Sequence, residues 1–249
     1  MYLINWGGPT SLPYILSMVF VFGLGIGLFF LLRGRSEKVI KIVLFPISLF
    51  GLAAVIINLT AFNDPLHYLP LEFCSYTAIL IPVLVLIPKR NLLGNFLIAG
   101  SLGALLALAL RGTDSYEWPL FSIGFCCYFF GHMAEFLIPQ LMIALGLVKV
   151  KPIYMISSFI ITIVLYTLSY LVGHAVNVAN GLDTNYFFGE YPTNAVLQVA
   201  WNICPHSYWY MYLVFPLFAI VYLIYCIPYF VKRAEIRKEN KRLSQNESK

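Results

Sequence analysis

Residues 12–35 read LPYILSMVFVFGLGIGLFFLLRGR, a run of twenty-one uncharged, mostly apolar residues that ends against two arginines. A helix rises about 1.5 Å per residue, so residues 12–32 can cross the apolar core of a bilayer, which is roughly 30 Å thick. The first charged residue of the chain is Arg33, so the basic segment that opens a cleavable signal peptide is missing. The run therefore predicts a membrane-spanning helix.

Apolar runs of this kind recur along the chain and predict seven spans. Their expected bounds are 12–32, 38–58, 66–88, 92–110, 119–145, 152–176 and 208–231. Hydrophobic residues make up 60% of the chain and charged residues 11%, against about 25% charged residues in an average soluble domain. We detect no internal repeat and no second domain. The sequence therefore predicts an all-α integral membrane protein in which residues 1–231 form one seven-helix bundle.

The basic residues predict the orientation of this bundle. Fifteen of the sixteen lysines and arginines fall in four hydrophilic segments, namely 33–41, 89–90, 149–151 and 232–249, and only Arg111 lies in a segment assigned to the other side. Short loops rich in lysine and arginine stay in the cytoplasm. We therefore expect an external amino terminus, a cytoplasmic carboxyl terminus and a multi-pass protein of the plasma (cytoplasmic) membrane.

Residues 232–249 form a basic tail with seven lysines and arginines. Few apolar residues follow Ile236, so we expect a disordered segment or a frayed helix. Basic residues near a membrane surface gain about 1 kcal/mol each from anionic lipids. A nucleic acid could bind the same charges, but lipid headgroups are the simpler partner for a membrane-anchored tail. Membrane lipids are therefore the expected partners, without nucleic acid, and the oligomeric state is left open.

Two acidic residues, Glu72 and Glu135, fall inside the predicted spans, and His132 accompanies them. A charge at mid-bilayer costs at least about 2.5–3.5 kcal/mol, so each of them needs a partner or a function. His132 and Glu135 are three residues apart and share one face of a helix. A carboxylate beside an imidazole can fix its tautomer and raise its basicity, as a general base requires. Alternatively, a neutral histidine and a protonated glutamate satisfy each other inside the bundle.

The same pair argues against a metal site. Di-iron bundles use the order Glu-x-x-His, in two copies and with further carboxylates. Here a single pair occurs in the reversed order, so the sequence predicts neither a metal nor another cofactor.

The five cysteines are odd in number and mostly lie in apolar runs, which argues against a disulfide framework. Cys74 differs from the others because it follows Pro70, a residue that favours the start of a helix. A helix amino end favours a thiolate, so Cys74 is a candidate nucleophile. Cys126, Cys127 and Cys226 are interpreted as apolar packing residues.

Cys74 and His132 lie in spans that both run from outside to inside. Cys74 is about four to eight residues into its span and His132 about thirteen, which leaves a difference in depth of roughly 7–14 Å. Glu72 lies about 200° around the helix from Cys74, so it is expected to point outward or to stabilise the helix amino end.

Four short segments resemble those of the seven-helix YwaF-type proteins related to transmembrane protein 164. They are LPLEFC at 69–74, FFGHMAEFLIP at 129–139, Thr-Asn-Tyr at 184–186 and PHSYWY at 205–210. The resemblance runs from about the second span to the seventh. It implies a lipid acyltransferase in which Cys74 forms an acyl-thioester and His132 activates it. The family often has histidine where this chain has Glu72.

Other functions remain open. The family is similar in architecture to the androgen-induced membrane hydrolases, which use a threonine nucleophile, so lipid-ester hydrolysis is one alternative. A non-enzymatic binding or transport protein is another, with His132, Glu135 and Glu72 lining a polar pocket. A structural subunit is a third. For an enzyme, the candidate substrate or oxyanion contacts are Asn58, Asn95, Asn185 and Tyr186.

Overall fold

The computed structural model describes residues 4–61, 64–110, 113–192 and 195–247, and within these ranges the regular structure is helical. The α-helices are α1 Leu12–Leu32, α2 Glu37–Ala61, α3 Phe73–Leu86, α4 Asn91–Ala109, α5 Ile123–Ala144, α6 Pro152–Asn180, α7 Ala195–Ile203, α8 Phe215–Tyr225 and α9 Ile227–Glu247. Short 3₁₀ helices cover Thr113–Glu117, Tyr186–Phe188 and Trp209–Leu213. The prediction of an all-α protein is confirmed.

Five helices are long and apolar enough to cross a membrane: α1, α2, α4, α5 and α6. A sixth candidate is the bent pair Trp209–Tyr225 and Ile227–Asn240, whose two parts meet at 45°. The predicted seventh span, 208–231, is therefore broken rather than continuous. The tail after residue 231 is helical as far as Glu247, where the sequence suggested disorder or fraying.

The third predicted span is much shorter than expected. Helix α3 has only 14 residues, because residues 64–72 form turns instead of the first two helical turns of the predicted span. A proline disfavours helical geometry in the residue before it. Pro70 and Pro88 bracket the segment, and Ile87 is extended, with φ −69° and ψ 146°. The two prolines therefore shorten an apolar run that composition alone extends to 66–88.

Helix α5 is the centre of the bundle. In the most apolar stretch of 18 residues, 61% of the residues of α5 are buried, against 17% of those of α1. The exposed side chains of α1 are apolar, as a lipid environment requires. Its buried residues pack with α1, α2 and α4 in the main hydrophobic core. A second cluster joins α6 to α8 and the preceding loop through Tyr166, Phe187, Tyr210 and Phe215.

The predicted cytoplasmic segments meet at one end of the bundle. Glu37 at the start of α2 binds both Arg90 (2.5 Å) and Lys41 (2.9 Å). The backbone N–H of Lys149 donates to Asn91 Oδ1 at the start of α4 (2.8 Å). We call this the lower end of the bundle, and the end at which α3 and α5 begin the upper end.

The amino-terminal segment covers part of the upper end. Trp6 is fully buried and packs edge-on against Phe125, with ring centroids 4.9 Å apart. Its backbone N–H donates to the carbonyl of Trp118 (2.9 Å), and Leu120 N–H donates to the carbonyl of Ile4 (2.8 Å). These bonds fix the loop that leads into α5, and with it the position of Trp118.

Candidate active site

Cys74 is the second residue of α3, and it is a free cysteine in a partly buried position. Ser75, the next residue, places its backbone N–H and its hydroxyl beside the sulfur. Glu72 and Glu135 are both close enough to interact electrostatically with Cys74. The sulfur therefore lies at the amino end of a helix, beside two hydrogen-bond donors and within reach of two carboxyl groups.

His132 lies in the third turn of α5, and its ring is partly buried. Its Nδ1 is 2.8 Å from the carbonyl oxygen of Tyr128, one turn earlier in the helix. A carbonyl only accepts hydrogen bonds, so Nδ1 carries the hydrogen and Nε2 keeps a lone pair in the neutral ring. Within the described residues Nε2 has no hydrogen-bond partner, so it is free to act as a base.

Cys74 and His132 line one cavity of about 380 Å³ at the upper end of the bundle. Its walls come from α2, α3 and α5, closed by Tyr68 and Trp118 from the loops before α3 and α5. The cavity is partly open, and its volume lies within the range of about 300–1,000 Å³ that is typical of ligand pockets. The sequence predicted that Cys74 and His132 lie at different depths along their helices. The two side chains nevertheless line the same cavity. Between residues that the structure describes, no hydrogen bond joins the Cys74 sulfur to His132.

Small residues create this space. Gly51, Ala54, Ala78 and Gly124 all line the cavity, where larger side chains would fill it. A Cβ at Gly51 would lie 3.1 Å from the Ala78 backbone, so α2 and α3 approach closely at this point. The helices α2 and α3 are thus in contact beside the cavity, and the cavity exists because the residues that line it there are small.

Glu135 also lines the cavity, but it does not orient His132 as the sequence suggested. The Nδ1 of His132 binds the Tyr128 carbonyl instead. Side chains on a helix lean toward its amino end, so a histidine ring reaches the preceding turn more readily than a residue in the next turn. Glu135 is only 4% exposed, and among the described residues its carboxyl group accepts or donates no hydrogen bond.

Glu72 lies outside the cavity lining. It precedes α3 in an extended conformation and makes no side-chain capping bond to the helix. Its carboxyl group instead lies close to the backbone N–H of Phe187. Glu72 therefore lies between the start of α3 and the loop after α6, and it is not among the residues that line the cavity with His132 and Glu135.

Of the four predicted substrate or oxyanion contacts, only Asn58 lines the cavity. Asn95 is fully buried near the lower end, where its amide donates to the carbonyls of Asn91 (2.6 Å) and Lys149 (3.0 Å) and accepts from Tyr222. The side-chain amide of Asn95 therefore stabilises the fold, and its polar atoms are already bonded within the protein.

Asn185 and Tyr186 have structural roles in the loop after α6. Asn185 bonds the Tyr191 carbonyl (2.7 Å) and the Glu190 N–H (2.8 Å). Tyr186 is buried, and its hydroxyl donates to the carbonyl of Leu66. Neither lines the cavity.

Three cavity residues of α5 were missed from sequence: Gly124, Cys127 and Tyr128. They share one face of the helix with His132 and Glu135, since each of the five lies three or four residues from another member of the set. This periodicity is the signal that could have linked them. It was hidden because glycine, cysteine and tyrosine in an apolar run look like ordinary packing residues.

In the described part of the chain, no group of three or more histidine, cysteine, aspartate or glutamate side chains is arranged to hold a metal ion. The arrangement instead combines a free thiol, an imidazole with one free nitrogen and an unpartnered carboxyl group in one cavity. Such groups can perform covalent catalysis and proton transfer.

Comparison with known proteins gives the family. Neither a curated protein nor a solved structure matches the chain significantly. The model of the TMEM164 family matches residues 7–225, which include every helix from α1 to α8 and all residues that line the cavity. Since the match covers most of the chain, this multi-pass membrane protein belongs to the TMEM164 family.

Proposed function

We propose that this protein is a membrane acyltransferase that moves an acyl chain from a lipid ester to a lipid hydroxyl through a thioester at Cys74. The observation that carries the proposal is the single cavity lined by the Cys74 thiol and the His132 imidazole. The Tyr128 carbonyl supports it further, because it commits Nδ1 of the ring and leaves Nε2 as the base.

In the first half-reaction, His132 Nε2 takes the proton of the Cys74 thiol and the sulfur attacks the ester carbonyl of the donor lipid. The ester C–O bond then breaks, and His132 returns the proton to the departing alkoxide. Catalytic hydrogen bonds are often long without substrate and tighten when it binds, so the missing bond between the sulfur and His132 is compatible with this role. Ser75 and Asn58 are candidate donors to the oxyanion, because both line the cavity.

We also propose seven crossings, with α3 as a short third span and the amino terminus outside. The 14 residues of α3 rise about 21 Å, less than the apolar thickness of a bilayer. Cys74 at its start would then lie below the headgroups of the outer leaflet, near the depth of acyl ester carbonyls. This orientation places the basic lower end and α9 at the cytoplasmic face of the plasma membrane, where anionic headgroups are the proposed partners.

Labelling of Cys74 tests the proposed function. The full-length protein in lipid nanodiscs is incubated with p-nitrophenyl decanoate, an activated acyl ester. The wild type should acquire a decanoyl group that hydroxylamine releases, as a thioester requires, and Cys74→Ser should not.

Cys127→Ser is the most informative control, because Cys127 lines the same cavity. It should keep the label, as should the serine variants of Cys126, Cys204 and Cys226. Labelling that persists without Cys74 would refute the proposal and favour a binding protein.

The product separates transfer from hydrolysis. The cavity is partly open, so water can compete with a lipid hydroxyl for the thioester. An acylated lipid as the main product supports transfer, whereas free decanoic acid as the main product in the presence of an acceptor lipid would identify a lipid-ester hydrolase.

A further inference from the structure

Glu135 is buried in an unusual state. The residue is 4% exposed and lines the cavity, and its Oε2 atom is buried without a hydrogen-bond partner among the described residues. A buried polar group without a partner costs about 1–3 kcal/mol or more, so native proteins rarely keep one without a reason. A ligand that enters the cavity can supply the missing hydrogen bond.

The neighbours of Glu135 do not supply it. His132 is on the same helix, but its Nδ1 donates to the Tyr128 carbonyl. Cys74 is close enough to interact electrostatically, but a thiol is a weak donor and no hydrogen bond joins the two side chains in the described structure. The ligand must therefore bring a hydrogen-bonding group to the carboxyl group, which accepts hydrogen bonds and, when protonated, also donates one.

The two substrates of an acyl transfer differ in this respect. At its reacting centre, the donor ester offers only hydrogen-bond acceptors, namely the carbonyl and alkoxy oxygens. The acceptor lipid offers a hydroxyl group, which is a donor. The acceptor hydroxyl both donates and accepts hydrogen bonds, so it can bind a carboxyl group in either protonation state, whereas the reacting ester can bind only the protonated form. The carboxyl group on the cavity wall therefore suits the acceptor better than the reacting ester of the donor.

We infer that Glu135 binds the hydroxyl group of the acyl acceptor and positions it against the Cys74 thioester. This inference rests on the proposed acyltransferase function. In the second half-reaction the acceptor oxygen bonds to the thioester carbonyl carbon and the C–S bond breaks. The hydroxyl proton passes through His132 to the Cys74 sulfur, which restores the free thiol.

Glu135→Leu tests this assignment without creating an orphaned partner, since none of the described residues is bonded to Glu135. The variant should fold at least as stably as the wild type, and its rate of decanoyl-Cys74 formation is measured as the reference for the second step. Relative to the acylation step, transfer from Cys74 to oleoyl lysophosphatidylcholine should slow about two- to tenfold, the factor that corresponds to one lost hydrogen bond of ordinary strength. Hydroxylamine, a small nucleophile that needs no positioning, should release the acyl group equally from both proteins.

Gln140→Leu is the matched control on the same helix. Gln140 lies outside the cavity and bonds Ser101 (2.7 Å) and Tyr225 (2.8 Å). Its loss should lower the thermal stability but leave the ratio of lipid transfer to hydroxylamine release unchanged, the reverse of the pattern expected for Glu135→Leu.

A measurement on the wild type removes any dependence on variants. A hydrophobic carbodiimide modifies buried carboxyl groups, and mass spectrometry locates the adduct. Oleoyl lysophosphatidylcholine should protect Glu135 from modification, and the same lipid with its hydroxyl methylated should not.

Three results would overturn the inference: equal protection by both lipids, transfer that is unaffected in Glu135→Leu, or acylation and transfer that slow by the same factor. These results are distinct from failure of the proposed function, in which wild-type Cys74 is not acylated at all.

Discussion

At the scale of single residues, the site depends on the hydrogen bonds that His132 and Glu135 do and do not make. His132 uses the carbonyl of the preceding turn, so its orientation comes from the helix itself and not from a second side chain. Glu135, which the sequence assigned to that task, keeps its carboxyl group free in the cavity. The two residues are therefore neighbours with separate roles, and their variants should behave differently.

Loss of the imidazole should affect the first chemical step. His132→Ala removes the base that deprotonates Cys74, so formation of decanoyl-Cys74 should slow by about two to four orders of magnitude, the usual contribution of general acid–base catalysis. Rates of acyl-enzyme formation in nanodiscs measure this directly. His174→Ala is the control, because His174 is exposed on α6 and lies outside the cavity. Equal rates for His132→Ala and the wild type would exclude His132 as the base.

At the scale of elements, close contact between α3 and α4 holds Cys74 in place. Gly100 of α4 faces the side chain of Thr77, one turn after Cys74, and an added Cβ would collide with it. Gly103, one turn further along α4, has no atom within 4 Å of its Cβ position. The two glycines therefore differ in what they do, although they are alike in sequence.

These glycines form a matched pair for a stability test. Gly100→Ala should destabilise the protein by about 1–3 kcal/mol, as overpacking does. Gly103→Ala should be neutral or stabilise it by up to about 1 kcal/mol, since alanine favours a helix more than glycine does. Thermal unfolding of the two purified variants measures the difference. Equal stability would mean that α3 and α4 do not pack as described.

At the scale of the whole molecule, the grouping of basic segments at the lower end bears on topology. Arg90, Glu37 and Lys41 link the starts of α2 and α4 directly, so two segments that the sequence assigned to the cytoplasm share one end. A bundle in which these segments lay on opposite sides of the membrane could not form such contacts.

The orientation itself can be measured in intact cells. A tag after residue 249 should stay unmodified by a membrane-impermeant, amine-reactive reagent, whereas a tag before residue 1 should be modified. The reason is that the positive-inside rule keeps the basic end of the bundle in the cytoplasm. Permeabilised cells provide the control, since both tags should then react. A carboxyl-terminal tag that reacts in intact cells would reverse the proposed orientation.

Most of the helices were predictable because long apolar runs decide them. The expected bounds of α1 and α4 differ from the observed ones by at most a residue. The third span was predicted too long, because the backbone restrictions at Pro70 and Pro88 do not change the hydropathy. The seventh was predicted as continuous, because the bend after Tyr225 does not change the hydropathy either.

Residues of the site could be predicted only where an ionisable residue interrupts an apolar run. His132 and Glu135 stood out as ionisable groups in an apolar run, and both line the cavity. Asn95 was also a candidate contact, but its partner Tyr222 is 127 residues away in the chain, and no local pattern reveals such a contact. Cys127 did not stand out at all. Tertiary contacts therefore decide which polar residues face a ligand and which hold the fold together.

The contact between Trp6 and the loop before α5 has a consequence for biosynthesis. The partners of Trp6 include Trp118 and Phe125, more than a hundred residues later in the chain. At about 5–20 residues per second, the ribosome needs on the order of ten seconds to make the intervening segment. During that interval a large aromatic side chain near the amino terminus has no native place to bury itself. The upper end of the bundle is therefore completed late, after α1 to α4 have been synthesised. Until then the nascent chain keeps an exposed indole that membrane chaperones could recognise.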